Sequence, residues 1–186
     1  MYTLEHKSEI ISVNQFISKY RDAERFIEYC KQCKNYGKVW SCPPYNYDVD
    51  SLLLKYKEAI IIFTKIKFDQ DFINSCSGSQ EKVRSYSEAV LKEVRTILDN
   101  VLIQKQKENK GTLAFFAGSC QFCPEDSCNK QKGLPCRHPD KAHTSLEAYG
   151  FDIGKILSDI FNTELKWASP QSLPEYYSLV SGFFIS

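Results

Sequence analysis

Apolar residues recur with a helical period over residues 12–29, at Val13, Phe16, Ile17, Tyr20, Ala23 and Ile27. Ser12 or Asn14 stands where a helix N-cap is expected. The period changes in YKEAIIIFTKIKF, residues 56–68, which is rich in β-branched and aromatic side chains. It reads as a buried strand that becomes half exposed. NSCSGS then reads as a loop. From Gln80 to Lys107 the residues Val83, Tyr86, Val90, Val94, Ile97, Leu98, Val101 and Leu102 form one apolar stripe, the mark of a long helix. GTLAFFAG, residues 111–118, reads as a second strand. Thr144 with Glu147 three residues on fits a capping box that opens a short helix. Gly150 breaks that helix, and Asp152 can cap the next stretch, IGKILSDIF. LKWAS and YYSLVSGFFIS read as closing strands.

This order predicts an α+β fold: a small mixed or antiparallel sheet with helices on one face and two cysteine-rich metal-binding loops. A parallel arrangement stays open, because a helix joins the first two strands. With 186 residues and no repeat or low-complexity linker, the chain is expected to form a single domain, 1–186, with cysteine segments at 30–45 and 118–139.

Composition narrows the function classes. Lys+Arg 24 against Asp+Glu 23 leaves a net charge of +1, far from the basic excess of a general nucleic-acid binder. The longest apolar run, AIIIF, is strand-sized, so no membrane span is expected. MYTLEHKSEIISVNQF lacks the apolar run and cleavage site of a secretory signal, so the expected location is cytoplasmic. Thiols stay reduced there, and eight cysteines then favour metal over disulfides.

Cys120 and Cys123 form a C-x-x-C pair, followed by Cys128 and Cys136, so that one compact loop carries four thiols. Four thiolates satisfy either a structural zinc or an iron–sulfur cluster. Zinc sites usually pair two short knuckles, and only one occurs here. Pro124 after Cys123 and Pro135 before Cys136 stiffen the loop and favour the cluster. Lys130, Lys132, Arg137 and His138 could offset the negative charge of a four-iron four-sulfur centre, or be ordinary solvated charges.

The earlier segment, CKQCKNYGKVWSCPPY, supplies only Cys30, Cys33 and Cys42. Cys42 precedes Pro43-Pro44, which restricts the backbone toward an extended path, and Gly37 provides a turn. A fourth ligand could come from Cys76, His6, His138 or His143. Alternatively three cysteines hold a cluster and leave one iron open, or some of these thiols merely pack. Tyr36, Trp40, Tyr45 and Phe122 could shield clusters or simply be core. There is no G-x-G-x-x-G, P-loop or G-x-S-x-G elbow, and no known catalytic constellation is visible.

Taken together, CKQCKNYGKVWSCPPY, GSCQFCPEDSCNKQKGLPCRHP and TSLEAYGFDI resemble the predicted metal-binding protein family (domain of unknown function 2284). The resemblance runs from the first cysteine segment to the C-terminal strands. It implies metal binding of iron–sulfur type, in proteins common among anaerobes. By it, Cys30, Cys33 and Cys42 form one ligand group and Cys120, Cys123, Cys128 and Cys136 the other, while Cys76 matches no motif.

The expected function is electron transfer, or support of a redox or enzyme partner, through one or two iron–sulfur clusters. A zinc-stabilised interaction module and an enzyme using an open iron are the alternatives.

Overall fold

A computed structural model describes all 186 residues, Met1–Ser186. Strand β1 (Tyr2–Ser12) leads into helices α1 (Val13–Tyr20) and α2 (Ala23–Lys31). Helix α3 (Val49–Leu53), strand β2 (Glu58–Phe68), and helices α4 (Gln70–Cys76) and α5 (Gln80–Glu108) follow. Strand β3 (Thr112–Phe115), helix α6 (Ile153–Phe161) and strand β4 (Tyr176–Ile185) complete the chain. The α+β class is borne out.

The sheet order is β1-β2-β4-β3, and every neighbouring pair is antiparallel. Since β2 and β3 both run against β4, they run parallel to each other with β4 between them. The helix-joined strands therefore share a direction without being partners.

Helices cover both faces of the sheet rather than one. Ala59, Ile61 and Phe63 of β2 join Val180 and Phe184 of β4 against α1 and α6, where Phe16 stacks on Phe151 at 4.7 Å. The alternate residues, Ile66 and Phe68 with Tyr177 and Leu179, face Val83, Val90 and Val94 of α5. The pleat sends successive residues to opposite sides. An apolar run such as AIIIF therefore needs cover on both.

Several expected elements differ. The 12–29 helix is two helices, because Asp22 caps α2 by accepting from the Arg25 amide at 3.0 Å. Ser12 caps α1 and Asp152 caps α6, as the sequence suggested. NSCSGS is partly helix α4, whose Ile73 and Cys76 are buried. LKWAS forms no strand, and Trp167 is 77 % exposed. Ile97 and Val101 of the α5 stripe face solvent, while Asp99 is buried. No helix is long and apolar enough to cross a membrane.

Candidate metal and ligand site

The start of α2 is pinned against the turn at Gly150. The Asp22 amide donates to the Gly150 carbonyl at 2.8 Å, and the Asp152 amide to that of Tyr20 at 2.8 Å. Gly150 has φ +89, and a Cβ there would lie 2.7 Å from the Ala23 Cα, so only glycine fits. This close approach sets Cys30, at the far end of α2, near the 3₁₀ turn Glu147–Tyr149.

After α2 the chain turns tightly. The Cys33 amide donates to the Cys30 carbonyl at 3.0 Å, and the Gly37 amide to that of Pro43 at 2.8 Å. Gly37 has φ +69, consistent with its expected turn, and the Pro43–Pro44 peptide is cis rather than extended. Cys33 is exposed, Cys30 half-buried and Cys42 buried. Burial pushes the Cys42 thiol up to about 11; the nearby Cys33 and Cys30 add to this, while Ser41 and Lys130 oppose it. Burial and Cys33 likewise raise Cys30, with a further push from Glu147. The three thiols are electrostatic neighbours.

The second segment leaves β3 through Gly118, φ +111, whose backbone packs on the Arg95 guanidinium. Cys128 precedes a short 3₁₀ turn, Asn129–Lys132, which Gly133 closes at φ +66. The Asn129 side chain ties the loop by donating to the Pro135 carbonyl at 2.8 Å. Burial pushes Cys120 up to about 11, opposed by the Phe122 amide and reinforced by Cys136, Cys123 and Cys128. The His138 amide donates to the Cys136 sulfur at 3.3 Å. Two sulfurs thus each face the amide two residues ahead, an arrangement that favours a thiolate.

Although Cys42 and Cys120 lie far apart in sequence, their segments pack together. The Cys120 amide donates to Ser41 Oγ at 2.9 Å, Asn35 Nδ2 to Ser119 Oγ at 2.9 Å, and Trp40 Nε1 to the Leu134 carbonyl at 3.1 Å. Lys34 pairs with Glu125. Lys130 Nζ reaches across to the Cys42 carbonyl at 2.7 Å and that of Pro44 at 3.0 Å, and its charge is felt by both Cys42 and Cys128. Of the four basic residues noted in the sequence, Lys130 is the one that links the groups. Tyr45 and Trp40 stand under the same ammonium.

The other candidates lie elsewhere. Cys76 is fully buried among Ile66, Phe68, Ile73 and Val83. His6 sits on β1 with Nδ1 3.0 Å from Thr64 Oγ1. His138 lies beside Phe122, and His143 beside Phe116, where burial lowers its pKa.

All eight cysteines are free thiols. No group of three or more His, Cys, Asp or Glu side chains is drawn together tightly enough to hold a metal ion. The donor set nonetheless fits one. Neutral thiols do not attract each other, whereas a bound cation deprotonates them and draws them in. A three-thiol and a four-thiol group, with amides aimed at two sulfurs, suit a soft metal centre.

Sequence reasoning missed a row of charges behind these loops, buried at Asp99 and half-buried at Arg95 and Glu147. Thr144 does not cap a helix; its hydroxyl donates to the Ser41 carbonyl at 2.7 Å. Glu147 is therefore not part of a capping box. The residue is half-buried, its Oε2 is shielded from water without a hydrogen-bond partner, and burial raises its pKa. Arg95 interacts with both Glu147 and Asp99. The spacing of Arg95 and Asp99, four apart on an apolar helix face, was the available signal.

Neither the curated proteins nor the solved structures give a match to this chain. Residues 16–181 match a family model described as "Predicted metal-binding protein". The chain therefore belongs to the predicted metal-binding protein family DUF2284.

Proposed function

We propose that this chain is an iron–sulfur protein that transfers electrons, or supports a redox enzyme partner, in the cytoplasm. Cys120, Cys123, Cys128 and Cys136 would hold one cluster of the four-iron four-sulfur type. Cys30, Cys33 and Cys42 would hold a second, with one iron free of a cysteine ligand. Such clusters supply one-electron chemistry at potentials set by charge, burial and hydrogen bonds to sulfur.

The observation that carries this reading is the joining of the two cysteine segments through Ser41, Asn35, Trp40 and Lys130. Seven thiols share one region with a cation between the groups. Lys130 offsets negative charge there, and the Phe122 and His138 amides stabilise thiolate sulfur. Burial of Cys42 keeps water from that ligand. The exposed Cys33 leaves a route for electrons or a partner at the surface.

Electron paramagnetic resonance of the anaerobically prepared, dithionite-reduced protein tests this proposal. A signal from reduced clusters that disappears on reoxidation is expected. An iron-free protein with no redox-dependent signal would overturn the reading.

A further inference from the structure

Strand β3 pairs only with Gly182–Ile185, so the preceding half of β4 has one open edge. That edge, Tyr177–Val180, lines a cleft of about 1000 Å³ between α2 and α5. The volume is at the upper end of the range for small-molecule sites. Phe26 and Tyr29 of α2, which meet edge to face with the Arg25 guanidinium near both rings, Leu91 of α5, and Leu165 and Trp167 after α6 supply aromatic and aliphatic walls. Cys30, Cys33 and Glu147 also line it, so the cleft abuts the three-thiol group.

The polar groups of the cleft are unevenly satisfied. Arg25 pairs with Asp152 at 3.7 Å, Arg84 with Glu88 at 2.9 Å, and Lys166 with Glu175 at 2.6 Å. These cations are each matched by a carboxylate. Glu147 Oε2 and Ser178 Oγ, both on residues lining the cleft, have no hydrogen-bond partner. Leaving a buried acceptor unpaired is costly, and a donor that reaches it recovers that cost.

We propose that this cleft binds a flat, largely apolar small molecule whose N–H donor head, an amine or amidine rather than an acid, pairs with Glu147. Aromatic walls receive the body of the ligand. Glu147 Oε2, which lacks a hydrogen-bond partner in the fold, accepts from that donor. The ligand's head is thereby held beside the three-thiol group. The claim does not depend on which metal those thiols hold.

The test titrates the protein, as purified, with naphthylmethylamine and with naphthylacetic acid, by calorimetry. Metal content is assayed on the same samples, so failure of the metal reading and failure of this one are separate results. The amine should bind at least tenfold more tightly than the acid, and Glu147→Gln should remove most of that preference. Leu91→Trp, which fills the cleft from α5 without altering the carboxyl, should weaken the amine at least tenfold, and this decides the matter if Glu147→Gln does not fold. No amine binding, equal affinity for amine and acid, or unchanged amine affinity in a folded variant would overturn the proposal.

Discussion

Asp99 provides a quantitative test of the charge row. Its side chain lies on α5 at 2 % exposure, neither carboxylate oxygen has a hydrogen-bond partner, and its countercharge is Arg95 one turn earlier. Burial pushes its pKa from 3.8 up to about 6, with Arg95 opposing the rise. Between these values the folded chain keeps the proton and the unfolded chain has lost it. Stability therefore falls as pH rises through that window and stays reduced above it. At 1.36 kcal/mol per pKa unit the loss is about 3 kcal/mol. Asp99→Asn keeps the shape and removes the titration. Urea denaturation followed by circular dichroism, under reducing conditions, should show near-equal stabilities at about pH 4. The variant should then gain up to ~3 kcal/mol by pH 7.5, which is roughly 6–12 °C in Tm for a chain of this size. Loss of the Arg95 countercharge makes this an upper bound. A variant no more stable than wild type at neutral pH, with an unchanged pH dependence, would show Asp99 ionised and held by Arg95.

Other perturbations address the site and the sheet. Cys42→Ser should lower iron and sulfide each by about half and spare the four-cysteine group; loss of both centres, or of neither, on metal assay would refute two separate sites. Lys130→Gln removes a cation between the thiol groups, so the reduced state loses support. Taking such a partly exposed charge as worth about 0.5–1 kcal/mol, the midpoint potential should fall by about 20–40 mV in a redox titration, and a rise would contradict the assigned role. Gly182→Ala would drive a Cβ into the Ile60 carbonyl oxygen across the β2–β4 pairing, and should cost about 3 kcal/mol in denaturant unfolding; a neutral result would contradict that packing.

Much of the interior was legible because its residues carry strong periods. AIIIF in β2 and the Val83–Val90–Val94 stripe of α5 announced themselves. Strand β1 did not: it is an edge strand, exposed along most of its length, and its Glu, Lys and His residues carry no buried face to detect. The helix break at Asp22 depends on a single capping side chain, whose effect is visible only once the Gly150 turn packs against it. The cysteine groups were legible by spacing, but their union was not, since it rests on long-range bonds such as Ser41 to Cys120. Glu147 was read as a local cap because its spacing from Thr144 suits one. Tertiary contacts claimed Thr144 for Ser41 instead and left Glu147 Oε2 buried without a partner.

The central claim is met most directly by quantifying iron, acid-labile sulfide and zinc per chain in protein purified without oxygen. Iron and sulfide in near-equal amounts, enough for at least one four-iron cluster and with little zinc, is the predicted result. Stoichiometric zinc without sulfide would contradict it.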